Sequence, residues 1–328
     1  MYSKYDKNNT LLVVPFFDPP APLFDNCLDS LLRFSDPEDR ILLIDDGSTR
    51  VGETSRERID RLKRRPGVRL LTLPENFGIA ATRNKAIEWA FENECAVLIF
   101  LDADCCIEEG FVDQHIRLHC EWPDVICVGG SIEGVGEGYW SRAGNIVCWY
   151  NNSPKARRRI IQPPLNLCTT NLSLKLVKEQ RDVYRFEEKL ETGEDIEFND
   201  RLRRSGCQIM FSPVPRIFHQ NRVGFHAVAT HQYKYGLHSY PVRFGRLGYS
   251  WFVRLPILVL LLIGAPALVL LTSFVTLKDW VRYDPREVIY APGVLFLRVL
   301  FVVATLVGTI DVRRSLPVAM RNRRRSRA

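Results

Sequence analysis

The sequence has no Cys-x-x-Cys pair, although it contains nine cysteines, scattered as single residues apart from Cys105-Cys106. That removes the usual thiolate spacing of a structural zinc site, and the thiols read as reduced packing residues of a cytosolic domain. A basic face is lacking outside the C-terminal tail and short runs such as Arg157-Arg158-Arg159, so no nucleic-acid partner is expected. No secretory signal is expected either: Met1 to Thr10 is polar, and the apolar run from Leu11 to Val14 is too short. No Gly-rich, Lys- or Arg-containing loop follows that run, which argues against a triphosphate-using nucleotidyltransferase. Apolar residues are instead concentrated after position 254, and acids are missing from the end: Arg313 to Ala328 carry seven Arg and no acid. This tail supplies the whole formal net charge of +7, so residues 1–312 sum to neutrality.

What is present is organised around Val97-Leu98-Ile99-Phe100-Leu101-Asp102-Ala103-Asp104. A continuous apolar run suits a strand covered on both faces, and two carboxylates at its end suit a hard cation that completes its shell with phosphate oxygens. Three further strands are expected upstream, at Thr10 to Pro15, Arg40 to Ile44 and Val68 to Leu73. Between them, Leu23, Cys27, Leu28, Leu31 and Leu32 recur at helical spacing, Glu53 to Arg65 is a charged helix, and a third helix runs through Ile87, Ala90 and Phe91. Strands alternating with helices at short intervals imply a doubly wound, mainly parallel α/β sheet with right-handed crossovers. Ligands of such sheets bind beyond the carboxyl ends of the strands, where Asp45-Asp46-Gly47-Ser48 closes the second strand.

Pro15 after the first strand, then Asp45-Asp46-Gly47-Ser48, then Asn76-x-Gly78-x-x-Ala81-x-Arg83-Asn84, then Asp102-Ala103-Asp104 resemble, in order and spacing, family 2 glycosyltransferases of the GT-A fold. Gly193-Glu194-Asp195-Ile196-Glu197-Phe198, followed by Arg201 and Gly206, is similar to the family's Glu-Asp segment. The resemblance covers roughly residues 10–222 and implies transfer from a nucleotide-diphosphate sugar with Mn²⁺ or Mg²⁺ as cofactor. It implies Asp102 and Asp104 as metal ligands, with Asp104 the more direct. Pro15, Asp45, Asp46, Asn76 and Arg83 become nucleotide contacts together with Asp102, and Asp195 becomes the general base of an inverting transfer, with Glu194 orienting it or the acceptor. Asn171 is expected to shape the sugar pocket. His219, placed after a strand at Gln208 to Phe211, is expected to return to the metal or the diphosphate. Alternative roles are ordinary ones: turn capping by the Asp45-Asp46 pair, and helix-start acids at 194–195 favoured by the helix dipole. Processive members carry Gln-x-x-Arg-Trp, whereas this chain has Gln220-Asn221-Arg222-Val223, which favours addition of a single sugar.

The C-terminal third reads differently. Gln232 to Trp251 mixes aromatic residues with cations, as in a bilayer headgroup layer. Leu255 to Leu277 is uncharged and long enough to span a core of about 30 Å. Val288 to Ile310 matches it in length but carries Arg298, so this segment is kinked, interfacial, or packed to give Arg298 a partner. The expected division is a catalytic domain over 1–229, an interfacial linker over 230–254, a transmembrane hairpin over 255–312 and a basic tail over 313–328. By the positive-inside bias, the catalytic domain and tail face the cytoplasm at the inner membrane, in contact with membrane lipids. The expected acceptor is membrane-borne and polyprenyl-linked, in surface polysaccharide or glycolipid synthesis. A polyprenyl-phosphate sugar synthase and a non-catalytic membrane scaffold are the alternatives.

Overall fold

The structure is a computed structural model that describes residues 5–163, 165–190 and 192–311, so the basic tail expected over 313–328 lies outside the described residues. In chain order the strands are β1 (Thr10–Phe16), β2 (Arg40–Asp45), β3 (Val68–Thr72), β4 (Val97–Leu101), β5 (Cys105–Ile107), β6 (Val125–Val135), β7 (Arg159–Ile160), β8 (Asn171–Lys175) and β9 (Gln208–Gln220). The helices are α1 (Ala21–Phe34), α2 (Glu53–Lys63), α3 (Ile79–Glu92), α4 (Phe111–Glu121), α5 (Tyr139–Cys148), α6 (Glu194–Arg204), α7 (Phe225–Leu237), α8 (Ser239–Phe244), α9 (Trp251–Tyr283) and α10 (Ala291–Ile310). Two compact units result, one from residues 1–135, 156–186 and 198–220, the other from the remainder. Segments 136–155 and 187–197 therefore group with the C-terminal helices and not with the sheet. Their sequence gave no sign of this, because the apolar face of α5 is too short to show which surface it covers.

The first unit is a mixed sheet in the order β3-β2-β1-β4-β8-β6-β9-β5, with β7 pairing with β9. β1 to β4 are parallel, and β8 runs antiparallel to both β4 and β6. Strands β1 and β4 are buried at every position, as their unbroken apolar sequence requires. The chain moves outward from β1 to β2 and β3, then returns to lay β4 on the other side of β1. That reversal leaves a crevice beyond the carboxyl ends of β1 and β4. The family fold expected from the motifs is thus present, with an antiparallel strand inserted beside β4.

Behind the sheet, α4 supplies two buried histidines. His115 Nε2 lies 3.0 Å from the Asn171 amide oxygen, and His115 Nδ1 lies 2.8 Å from Ser173 Oγ, which is also 2.8 Å from His119 Nε2. The Asn171 amide nitrogen donates to the carbonyls of Ser131 and Pro215, so its oxygen faces His115 and makes Nε2 the donor. Burial pulls His115 down to about 3, with the Asn171 hydrogen bond opposing, and burial followed by the His115 charge pulls His119 well below its ordinary value.

In the second unit, Ala143, Ile146 and Val147 of α5 pack with Val228 of α7, Trp280 of α9 and Val294 and Leu297 of α10. Glu287 is buried and accepts from Arg142 Nε at 3.1 Å, while the Arg142 and Lys155 cations lie over the Trp280 ring. Glycines allow α7 and α10 to touch along their backbones: a Cβ on Gly236 would strike the Phe301 carbonyl, and one on Gly308 the Leu237 carbonyl. Two helical segments, Trp251–Arg282 and Pro285–Ile310, are long and apolar enough to cross a membrane. The first is exposed along most of its length. The second is more enclosed, and its Arg298 donates to Thr276 Oγ1 of α9 and lies over the Tyr150 ring. Of the fates open to Arg298 on sequence alone, packing against a partner is the one observed.

Neutral buried imidazoles make folding pH-dependent. His115 and His119 take up protons near pH 6.5 only once unfolded, so stability falls as pH drops from about 6.5 towards 3. The melting temperature of His115→Gln should fall less steeply than that of the wild type between pH 6.5 and 4.5, and parallel profiles would contradict the account.

Candidate active site

The crevice at the carboxyl ends of β1 and β4 encloses about 400 Å³ and is lined by Pro15, Phe16 and Phe17 on one side and by Asp102, Ala103 and Asp104 on the other. Asp46, Asn76, Gly78, Thr82 and Arg83 close a third wall. Six residues anticipated from sequence therefore meet here: Pro15, Asp46, Asn76, Arg83, Asp102 and Asp104. Parallel pairing explains why. Phe16 is in register with Asp45, and Val13 with Phe100, so turns far apart in sequence leave the sheet side by side.

Asp46 is buried, and its carboxylate accepts from the backbone N–H groups of Phe77 at 3.0 Å and Gly78 at 2.9 Å. It braces the loop that carries Asn76 into the crevice. The brace requires close approach: Gly47 has φ +74°, and a Cβ there would lie 2.5 Å from the Glu75 carbonyl carbon. Asp45 does not line the crevice. Its Oδ1 accepts from the Ser48 backbone N–H at 2.8 Å, the turn-capping geometry that is the alternative for such a pair.

The two acids of the Asp-x-Asp motif have different surroundings. Asp102 accepts from Arg83 at 3.0 Å on one oxygen and from Thr170 Oγ1 at 2.8 Å on the other. The Arg83 side chain is 4% exposed, and its guanidinium carbon is 5.6 Å from the Phe186 ring centre. Asn84 fixes Phe186 by a reciprocal pair of backbone bonds, at 2.7 and 3.0 Å. Each Asp102 oxygen thus has a protein donor, and the residue anchors the arginine while still lining the crevice. Asp104 faces His219, whose Nε2 is 3.3 Å from Oδ2, and the Cys105 thiol donates to Oδ1 at 3.5 Å.

His219 lies within β9, not beyond the strand as expected, and pairs with Cys105 of β5. This antiparallel pairing delivers the imidazole to Asp104, because Cys105 is the next residue in the chain. Burial acts to raise the Asp104 carboxyl, but the His219 hydrogen bond and charge hold it below its ordinary value. Burial, then the charges of Asp104 and Asp102, push the Cys105 thiol well above its ordinary value. Ligand atoms of Asp104, Cys105 and His219 lie within 4.8 Å of one another. The carboxylate and imidazole of this set suit a hard to borderline divalent cation.

Asn171 contributes no exposed surface: it is wholly buried at the start of β8, its amide engaged by His115, Ser131 and Pro215. Glu194 and Asp195 begin α6 in the second unit; Glu194 is 9% exposed, and Asp195 Oδ1 accepts from the Ile196 N–H at 2.8 Å. Thr170 and Phe186 are contributors that sequence reading missed. Thr170 directly precedes Asn171 and Phe186 stands in no motif; their roles arise from the β4/β8 pairing and from the segment clamped by Asn84.

A family model described as Glycosyl transferase family 2 matches residues 11–176. No curated protein matches the sequence. Among solved structures, the mannosyltransferase PcManGT of Pyrobaculum calidifontis, in complex with GDP-Man and Mn²⁺, is 14% identical over 92% of this chain and 87% of its own, with a TM-score of 0.55. TarS 1-349 of S. aureus, in complex with UDP-GlcNAc, is 15% identical over 93% and 92%, with a TM-score of 0.52. GalNAc-T7 with UDP, GalNAc and Mn²⁺ is 17% identical over 67% of this chain but only 45% of its own, with a TM-score of 0.48. At these identities the likeness is one of fold.

The unequal surroundings of the two acids separate anchoring from availability. Asp102→Asn removes the charge opposite a buried arginine and should lower unfolding stability by about 1–3 kcal/mol. Asp104→Asn should change it by less than about 1 kcal/mol. Thermal unfolding of both variants measures this, and equal losses would refute the distinction.

Proposed function

The chain belongs to glycosyl transferase family 2, and on that footing we propose that it is an inverting glycosyltransferase that moves a sugar from a nucleoside-diphosphate donor to a membrane-borne, polyprenyl-linked acceptor. The observation that carries the reading is the pairing of Asp104 with His219 at the switch-point crevice, beside an Asp102 already occupied by Arg83 and Thr170. Asp104 and His219 would hold Mn²⁺ or Mg²⁺, which when bound neutralises charge on the departing diphosphate.

The protein's own groups do the rest. Asp46 braces the Asn76 loop, so that a nucleoside enters beside a wall whose backbone is already fixed. Arg83, held between Asp102 and the Phe186 ring, brings a positive charge to the crevice in a fixed orientation. Exposed Phe17 and Phe77 offer apolar surface to a base. Asp195 is the group assigned to take the acceptor hydroxyl proton as the acceptor oxygen forms its bond to the anomeric carbon. The anomeric carbon–oxygen bond to the diphosphate breaks on the opposite side, which inverts the configuration. Glu194 is assigned to orient Asp195 or the acceptor. Two helices of membrane-spanning length in the last third suit an acceptor that resides in the bilayer.

The donor is the first thing to measure. With Mn²⁺, one of UDP-GlcNAc, UDP-GalNAc or GDP-Man should raise the melting temperature by several degrees, and the rise should vanish with EDTA and in His219→Ala. No response to any nucleotide-sugar would refute the assignment. Asp195→Asn should lower transfer by about 10²- to 10⁴-fold with donor binding retained, and wild-type turnover in this variant would remove Asp195 from the mechanism.

A further inference from the structure

The second unit contains a cavity that the proposed chemistry has not used. It measures about 510 Å³, and its walls include Thr192, Arg222 and the side of α7 that carries His226, His231, Lys234 and Tyr235. Four lining side chains are basic, and none of the described residues lining it is acidic. Positions 226, 230 and 234 recur every fourth residue, so the helix presents His226, Thr230 and Lys234 in one column. The opposite stripe, Val228, Gln232 and Gly236, is buried, and Val228 packs with Val294 and Leu297 of α10. One helix thus joins a cationic pocket to a helix of membrane-spanning length.

The bases are arranged and not merely numerous. His231 Nδ1 lies 3.9 Å from Cys148 Sγ, and its ring centre is 4.5 Å from that of Tyr235, which fixes the imidazole in the wall. Arg222 and Lys234 are exposed at the opening. Like charges gathered in a concave site repel one another until an anion enters, and phosphate oxygens are strong acceptors for both guanidinium and ammonium groups. Thr192 joins this pocket to the assigned chemistry. The next residue, Gly193, accepts from the N–H groups of Ile196 and Glu197 at 3.1 and 3.2 Å and so begins the helix that carries Glu194 and Asp195. Three residues of extended chain span roughly 10 Å at most, which bounds the separation of Thr192 from Asp195.

We infer that this pocket holds the phosphate or diphosphate of a lipid-borne acceptor, with the isoprenoid chain directed to the apolar helices and the adjoining sugar to Asp195. The inference rests on the transferase reading and names its acceptor site. A free diphosphate and a glycerophospholipid headgroup share the chemistry of the anion, so the test separates them from an isoprenoid diphosphate.

The full chain in nanodiscs of phosphatidylcholine, with EDTA present, is titrated calorimetrically with farnesyl diphosphate, inorganic pyrophosphate and farnesol. Farnesyl diphosphate should bind more tightly than either of the others. The double variant Arg222→Gln/Lys234→Gln should weaken it at least about tenfold. An independent pair on the same face, His226→Gln/Lys234→Gln, should do likewise. Unchanged affinity in both double variants overturns the inference, as does inorganic pyrophosphate binding as tightly as the farnesyl ester, or equal competition by phosphatidylglycerol in the nanodisc. Nucleotide-sugar binding with Mn²⁺ is read on the same wild-type preparation. Its absence overturns the transferase reading, whereas loss of farnesyl selectivity with nucleotide-sugar binding intact overturns the acceptor pocket alone.

Discussion

The parallel pairing of β1 with β4, from Thr10 opposite Val97 to Val13 opposite Phe100, is the constraint on which the crevice depends. It brings the Pro15 turn beside the Asp102 turn across about 90 residues of intervening chain. Both strands are fully buried, and a one-residue slip would turn Leu98 and Phe100 to the wrong face of the sheet, so packing enforces the register. The antiparallel β8 then fixes Thr170 next to Asp102, because Leu101 pairs with Asn171. The contact of Thr170 with Asp102 follows from these two pairings, as that of His219 with Asp104 follows from the pairing of β5 with β9.

Given this frame, the Asp-x-Asp motif resolves into unlike halves. Asp102 ends a chain of contacts that runs from Phe186 through Arg83, and its second oxygen accepts from Thr170. Asp104 stands where the chain turns into β5, with an imidazole and a thiol beside it. Identical side chains two residues apart thus acquire different chemistry from their neighbours alone.

The sequence made the first four strands legible because each is an apolar run stopped by proline or by paired acids, and local signals of that kind survive any tertiary context. It also revealed Asp46, Arg83 and Asp104, through motifs whose spacing is set by the turns themselves. The surroundings of Asn171 were not legible, because an amide at a strand end reads alike whether it faces a ligand or a buried histidine 56 positions upstream, which here is His115. The place of His219 inside β9 was hidden by Pro213 and Pro215, which sequence rules take as strand breakers. The membership of residues 136–155 and 187–197 in the second unit was hidden too, since their partners lie far along the chain.

Gly236 and Gly308 bring the backbones of α7 and α10 into contact at two points, each against a carbonyl of the other helix. With no side chain between them, the pair has no compliant layer to absorb a shift, and neither helix can slide or roll without collision. Mechanically they form a single lever. A displacement of α10 along its axis would therefore carry the basic face of α7 with it.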